Sequence, residues 1–281
     1  MASCASASRS LGAVQPEIDL LGLPVKTFGL LFGLAFVACG LVLTRRLKEL
    51  DKPVDWAYEI VFSALLGGVV GAKLYYVVQN YDSGDSLLGN VFSGSGLVWY
   101  GGALGGALAV GLWARRRGFF SVALLDLSAV PLALGYAIGR VGCQISGDGD
   151  YGKPWDGPWA MAYPDGAVPT DVTVHPTPIY ETLAMGLAAW ALWRARDAFR
   201  PGVLFAFYLV LAGLERFLVE FLRRNDPAVL GLTVPQVESM VMAAAGILWL
   251  VLAARRGGLR RDPAGATARP VAGRGGTAAP A

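Results

Sequence analysis

Residues Val122–Gly152 read VALLDLSAVPLALGYAIGRVGCQISGDGDYG, and this stretch decides the fold. From Val122 to Val141 only Asp126 and Arg140 are charged. About 20 apolar residues cross the hydrocarbon core of a bilayer as a helix, so the run predicts a membrane span. Arg140 sits near its end. A guanidinium cannot be deprotonated and is expensive at membrane depth, which makes an intramembrane arginine a functional-site hypothesis by default.

The same pattern repeats outward in both directions. Thr27 to Leu43, Trp56 to Val78, Leu97 to Ala114, Pro178 to Trp193, Gly202 to Leu222 and Val234 to Ala253 predict six further spans. The chain has 281 residues, 54% hydrophobic and 16% charged, with a mean hydropathy of +0.49. The expected fold is therefore an all-α polytopic integral membrane protein of about seven transmembrane helices. Cys4, Cys39, Cys143 and the sole histidine, His175, show no metal-ligand spacing, which argues against zinc chemistry and against a disulfide framework. No metal and no nucleic-acid partner is expected.

Charge sets the expected sidedness. Sixteen of the 24 Lys and Arg residues fall on one side: Arg45, Arg46, Lys48, Lys52, Arg115 to Arg117, Arg194, Arg196, Arg200 and six in the tail. The positive-inside rule makes that side cytoplasmic, with the N-terminus outside and the C-terminus cytoplasmic. Residues 1–26 lack a basic n-region followed by an unbroken apolar core, so they read as an outer-face segment and not as a signal peptide. Residues 27–254 form the transmembrane domain, including an outer loop at 142–177. Residues 255–281, rich in Gly, Ala, Pro and Arg, predict a disordered cytoplasmic tail able to touch anionic lipid headgroups.

This topology puts Lys73, Tyr100, Arg140, Glu181, Arg216 and Glu220 in the outer half of the membrane, converging on one polar cavity. In ERFLVEFLRR, Arg216, Glu220 and Arg223 fall at i, i+4 and i+7, one face of a helix otherwise Phe, Leu and Val. Two buried guanidiniums suggest an anionic ligand, a phosphate first of all, because the planar fork matches its oxygens. Blander readings stand beside these. Arg216 with Glu220 also fits a structural ion pair, His175 before Pro176 a helix cap, and Asp148 and Asp150 turn residues of a Gly-rich loop. Cys143 reads as a small buried residue or as a nucleophile. Gly67 and Gly71, Gly101 and Gly105, and Gly102 and Gly106 form small-xxx-small pairs for close helix packing; close backbones there also leave amides near a lipid headgroup.

Taken in order, PEIDLLGLPVKTFGL, GAKLYYVVQNY, VWYGGALGG, GRVGCQISGDGDYG, PWAMAYP, HPTPIYE and RFLVEFLRR resemble the bacterial prolipoprotein diacylglyceryl transferases over most of residues 16–253. Gly139, Arg140, Gly142 and Gly147 match the family's signature segment. The chain departs from the family pattern at Phe28, Lys73, Tyr100, Cys143 and Asp148, where tyrosine, arginine, histidine, asparagine and glutamate are usual.

The resemblance implies transfer of an sn-1,2-diacylglyceryl group from phosphatidylglycerol to the lipobox cysteine of a prelipoprotein, releasing glycerol phosphate. It implies no cofactor, and places the protein in the bacterial inner membrane with its site toward the outer leaflet. The partners are phosphatidylglycerol, lipobox signal peptides and membrane lipids. On resemblance and chemistry together, Arg140 and Arg216 form a phosphate clamp, with Glu220 orienting Arg216 or moving a proton. His175 and Tyr100 join the catalytic candidates; Lys73, Cys143, Asp148, Tyr180, Glu181 and Arg223 join the substrate-binding ones. The rival readings are a non-catalytic lipid-binding protein or an anion transporter on the same scaffold. No internal repeat or pair of broken helices marks a transporter, and no GxSxG element supports rhomboid-type proteolysis.

Overall fold

The structure, a computed structural model, describes residues 14–20, 22–79, 99–228 and 230–261, with Gln79, Trp99 and Tyr100 in backbone only. Seven helices lie among the described residues: α1 Thr27–Glu49, α2 Trp56–Gln79, α3 Trp99–Arg116, α4 Val122–Ser146, α5 Thr177–Ala195, α6 Val203–Glu220 and α7 Val234–Arg255. Continuous helix is what these apolar runs demand, since a lipid-exposed segment must satisfy every backbone N–H and C=O internally. Four of the helices, α1, α2, α4 and α7, are long and apolar enough to cross a membrane. Each begins within a residue or two of the position its hydropathy predicts. The outermost segments, 1–13 and 262–281, lie outside the described residues.

Two β-hairpins depart from the all-α expectation. β1 (Glu17–Leu20) and β2 (Leu23–Lys26) pair antiparallel, Glu17 opposite Lys26, and β3 (Met161–Tyr163) pairs antiparallel with β4 (Thr170–Val174). Both hairpins sit at the same end of the bundle, joined by Gln15 N–H donating to Ile145 O at 2.8 Å and by Val14 packing on the buried Tyr151, Tyr163 and Val174. They escape the sequence pattern because strands of three to five residues carry too little alternation to stand out beside long apolar runs.

α1 packs on α4, α4 on α5, α5 on α6 and α6 on α7, while α2 pairs with α3. Small residues set the α2–α3 approach, as their spacing predicts: a Cβ on Gly71 would lie 2.8 Å from the Gly105 Cα, and one on Gly106 3.2 Å from the Ala64 O. The α4–α6 core is Ala129, Ala133, Ala137, Met185, Ala188, Leu192, Leu204 and Ala212. Leu41, Phe62, Leu108, Leu187 and Val241 point outward and are exposed. A continuous apolar exterior of this kind belongs in hydrocarbon rather than water.

The bundle has two chemically distinct ends. At the basic end, Arg196 and Arg46 meet Glu49, and Asp126 accepts from the N–H groups of Gly202 and Phe205, capping the start of α6. At the hairpin end, α6 stops at Glu220, and α7 starts with a capping box in which Thr233 and Gln236 satisfy each other's backbone N–H.

Candidate functional site

The site grows from the end of α4. That helix terminates at Gly147, whose φ of +58° is left-handed, a conformation glycine adopts without steric cost. The chain then turns back across the bundle. Gly152 passes so close to the turn after α6 that a Cβ would lie 2.5 Å from the Leu222 O, and Lys153 N–H donates to that same carbonyl at 2.7 Å. Between these two glycines Asp150 is carried over the ends of α4, α5 and α6. Thr177 Oγ1 fixes its backbone by donating to Asp150 O at 2.6 Å.

Three guanidiniums and three carboxylates meet there. Arg140 pairs with Asp150 and places Nε 3.0 Å from Glu181 Oε2. Arg216 reaches Glu181 Oε1 at 3.3 Å and Glu220 Oε2 at 2.8 Å. Arg223 pairs with Asp150 and lies 3.4 Å from Glu181 Oε1. Glu181 and Glu220 are fully enclosed, with 0% side-chain exposure. Glu220 is further anchored by Asn225 Nδ2 at 2.6 Å and Thr233 Oγ1 at 2.9 Å. Tyr136, one turn before Arg140, donates to Glu181 at 3.1 Å and lays its ring 4.8 Å under the Arg140 guanidinium.

The expected helical face is corrected in one respect. Arg223 does not continue α6 at i+7; the helix ends at Glu220 and Arg223 lies in the following turn. Leaving the helix lets its guanidinium swing back to Asp150, which a helical position would hold off axis. The Arg216–Glu220 pair is present as the spacing predicts, and it belongs to the larger network.

Asp150 is the most exposed carboxylate of that network. Its side chain is 32% exposed and loop-borne, while its two partner carboxylates are enclosed and helix-borne. Burial alone would raise its pKa; the Arg140 and Arg223 charges outweigh burial and hold it below the usual aspartate value. Asp148 is a turn residue in geometry, its Oδ1 accepting from Asp150 N–H at 3.3 Å, and burial followed by the Asp150 charge raises its pKa.

The other predicted residues distribute unevenly. Cys143 is buried, its Sγ 3.8 Å from Arg140 Nη1. His175 does not cap α5, whose N-cap is Pro176 without a side-chain bond; its ring stacks on Trp155 with centroids 4.4 Å apart, and burial lowers its pKa. Tyr180 accepts from Trp159 Nε1 at 2.7 Å and faces His175 Nδ1 at 3.4 Å, forming an aromatic group beside the ion cluster. Lys73 lies on α2 with Nζ 5.5 Å from the Tyr76 ring centroid. The Tyr100 side chain falls outside the described residues. Among the described residues one group of metal-capable atoms lies together, on Cys143, Asp148 and Asp150. Asp150 is already held by two guanidiniums, whose charge opposes a cation.

Sequence reasoning missed Asp150 as an ion-pair bridge, Tyr136 as a partner of Glu181, and Glu215 as a lining residue of the adjoining cavity. Tyr136 had a usable signal in its i, i+4 spacing to Arg140. Asp150 had none, because a Gly-rich loop hides which way its side chain is carried.

A family model described as prolipoprotein diacylglyceryl transferase matches residues 16–252. The chain is similar to the phosphatidylglycerol–prolipoprotein diacylglyceryl transferase of Clostridium tetani, 31% identical over 74% of this chain and 84% of that one. It is also similar to the protein of the same name from Pseudomonas aeruginosa, 33% identical over 86% of this chain and 96% of that one, and to one from Leptospira interrogans, 33% identical over 71% of each.

Proposed function

The chain belongs to the prolipoprotein diacylglyceryl transferase family, and from that premise we propose that it moves an sn-1,2-diacylglyceryl group from phosphatidylglycerol to the lipobox cysteine of prelipoproteins. A thioether forms and glycerol phosphate leaves. One observation carries the reading to this chain's own residues: three guanidiniums gather at one end of an apolar helix bundle, beside a cavity of about 460 Å³.

The leaving group is a phosphate ester whose charge grows as its C–O bond breaks. Preorganised guanidiniums in a water-poor site stabilise that charge without reorganising. Arg140 and Arg216 are the clamp, and both line the cavity. Glu220, locked by Asn225 and Thr233, fixes the Arg216 rotamer. Arg223 joins the clamp when the phosphate displaces Asp150. Cys143, Asp148, Glu181 and Tyr180 shape the headgroup pocket, and His175 flanks it through Tyr180.

The seven helices all span the membrane, with the N-terminus outside, the C-terminus cytoplasmic and the hairpin end toward the outer leaflet of a bacterial inner membrane. Residues 1–26 then lie outside and 255–281 in the cytoplasm. The test is direct: protein in vesicles, phosphatidylglycerol and a lipobox peptide with a free thiol, followed by mass spectrometry. Diacylglyceryl-peptide is expected. Peptide left unmodified where an active family member modifies it overturns the reading. Thiol labelling of single cysteines placed between Asp156 and Thr170 should succeed from outside intact cells; labelling only after lysis reverses the sidedness.

A further inference from the structure

The cavity beside the ion cluster lies between α4, α5, α6 and α7, and its wall includes Tyr136, Arg140, Glu215, Arg216, Ser239 and Met242. Asp150, Glu181 and Glu220 are each held by guanidiniums. Glu215 is not. Its Oε1 is shut away from solvent with no hydrogen-bond donor, and it makes no ion pair among the described residues. The charges around it are Arg140 on α4, Glu181 on α5, Arg216 on its own helix and Arg223 beyond that helix, with Glu238 of α7 on the same wall. A carboxyl oxygen buried without a partner calls for an explanation, and a donor brought by the substrate is the simplest one.

The proposed reaction needs such a group. The thiolate, not the thiol, is the nucleophile, and a free cysteine holds its proton at neutral pH. A carboxylate clamped between guanidiniums is a poor base, because taking a proton breaks its ion pairs. Tyr136 already donates to Glu181, and His175 is stacked on Trp155 outside the cavity wall. Resting on the transferase reading, we infer that Glu215 is the catalytic base that takes the proton from the lipobox thiol. The S–H proton moves to a Glu215 oxygen. The sulfur lone pair then forms the C–S bond to the glycerol carbon, and the C–O bond to phosphate breaks with its electron pair leaving on the phosphate oxygen. The proton passes from Glu215 to the departing phosphate or to water, so nothing else is consumed.

The experiment compares lipobox peptides carrying cysteine or selenocysteine at the acceptor position, since a selenol is already ionised at neutral pH and needs no base. Glu215→Gln should lose about a hundredfold in turnover on the cysteine peptide, the usual size of a general-base contribution, yet approach the wild-type rate on the selenocysteine peptide. Glu215→Asp, a gentler change if glutamine harms folding, should show a smaller loss on cysteine and near wild-type turnover on selenocysteine. Equal impairment on both peptides overturns the inference and makes Glu215 a headgroup or structural contact; so does full activity of Glu215→Gln on cysteine. If the wild-type protein modifies neither peptide, the transferase reading itself fails and the inference falls with it.

Discussion

Both ends of the helix bundle are laced by arginine–carboxylate pairs, yet the two networks differ in kind. At the basic end Arg196 Nε lies 2.8 Å from Glu49 Oε2 and Arg46 Nη2 lies 2.7 Å from Asp197 Oδ1. At the hairpin end Arg216 Nη2 lies 2.8 Å from Glu220 Oε2. Distances alone would rank them together. Exposure separates them, since the Asp197 side chain is 61% exposed and those of Glu181 and Glu220 are fully enclosed. Water screens the outlying Asp197 pair, whereas it is kept from the Glu181 and Glu220 carboxylates. An exposed pair is worth about 0–1 kcal/mol, whereas stripping one partner from a buried pair costs roughly 3–5 kcal/mol. The comparison teaches that the hairpin end keeps charges where they are costly, enclosed and paired.

The sharpest way to break this contrast is Glu220→Gln. It leaves Arg216 without its closest anion in an enclosed site, and the detergent-solubilised protein should lose about 3–5 kcal/mol of stability. A melting temperature matching wild type would show the hairpin-end network to be as weak as the basic-end one. Arg216→Lys and Arg140→Lys come next. Each keeps the charge and loses the fork, so melting should hold while diacylglyceryl transfer drops by about 3 kcal/mol of transition-state stabilisation, roughly a hundredfold. A variant that melts early but keeps full specific activity in its folded fraction removes that arginine from the clamp.

Asp150 sharpens the comparison through pH. Its folded pKa is lowered, so the stability it contributes is present above its unfolded value of about 3.9 and is lost as pH falls through the lower folded value. Wild-type protein should therefore show a loss of melting temperature on acidification below about pH 4. Asp150→Asn should start lower at neutral pH and fall less steeply; a parallel acid limb would mean that other carboxylates set it. The smallest effect belongs to the basic end. Asp197→Asn, at the 61% exposed carboxylate, should change stability by less than about 1 kcal/mol, read by the same melting assay, and a larger loss would erase the distinction between the two ends.

Much of this was legible in the chain. The apolar runs located the helices because a bilayer requires about 20 residues per crossing whatever their neighbours. Arg140, Arg216 and Glu220 stood out because charge inside such runs is rare, and Gly71, Gly101 and Gly105 because small residues recur at helical spacing. The two hairpins escaped notice, being too short to leave a pattern. Asp150 looked like a turn residue, since local sequence says nothing of what a loop crosses.

By itself, then, the sequence determined where helices form, which end collects basic residues and which apolar helices hold charge, because each depends on the chain's local composition. Only the tertiary structure decided which carboxylate meets which guanidinium. Arg140, Glu181, Arg216 and Arg223 lie on three helices and a turn, so their pairing depends on crossings that no single helix encodes. The same folding engages Asp150, Glu181 and Glu220 with arginines while leaving Glu215 unpaired on the cavity wall. That difference in partnership exists only once α4, α5, α6 and α7 are packed together.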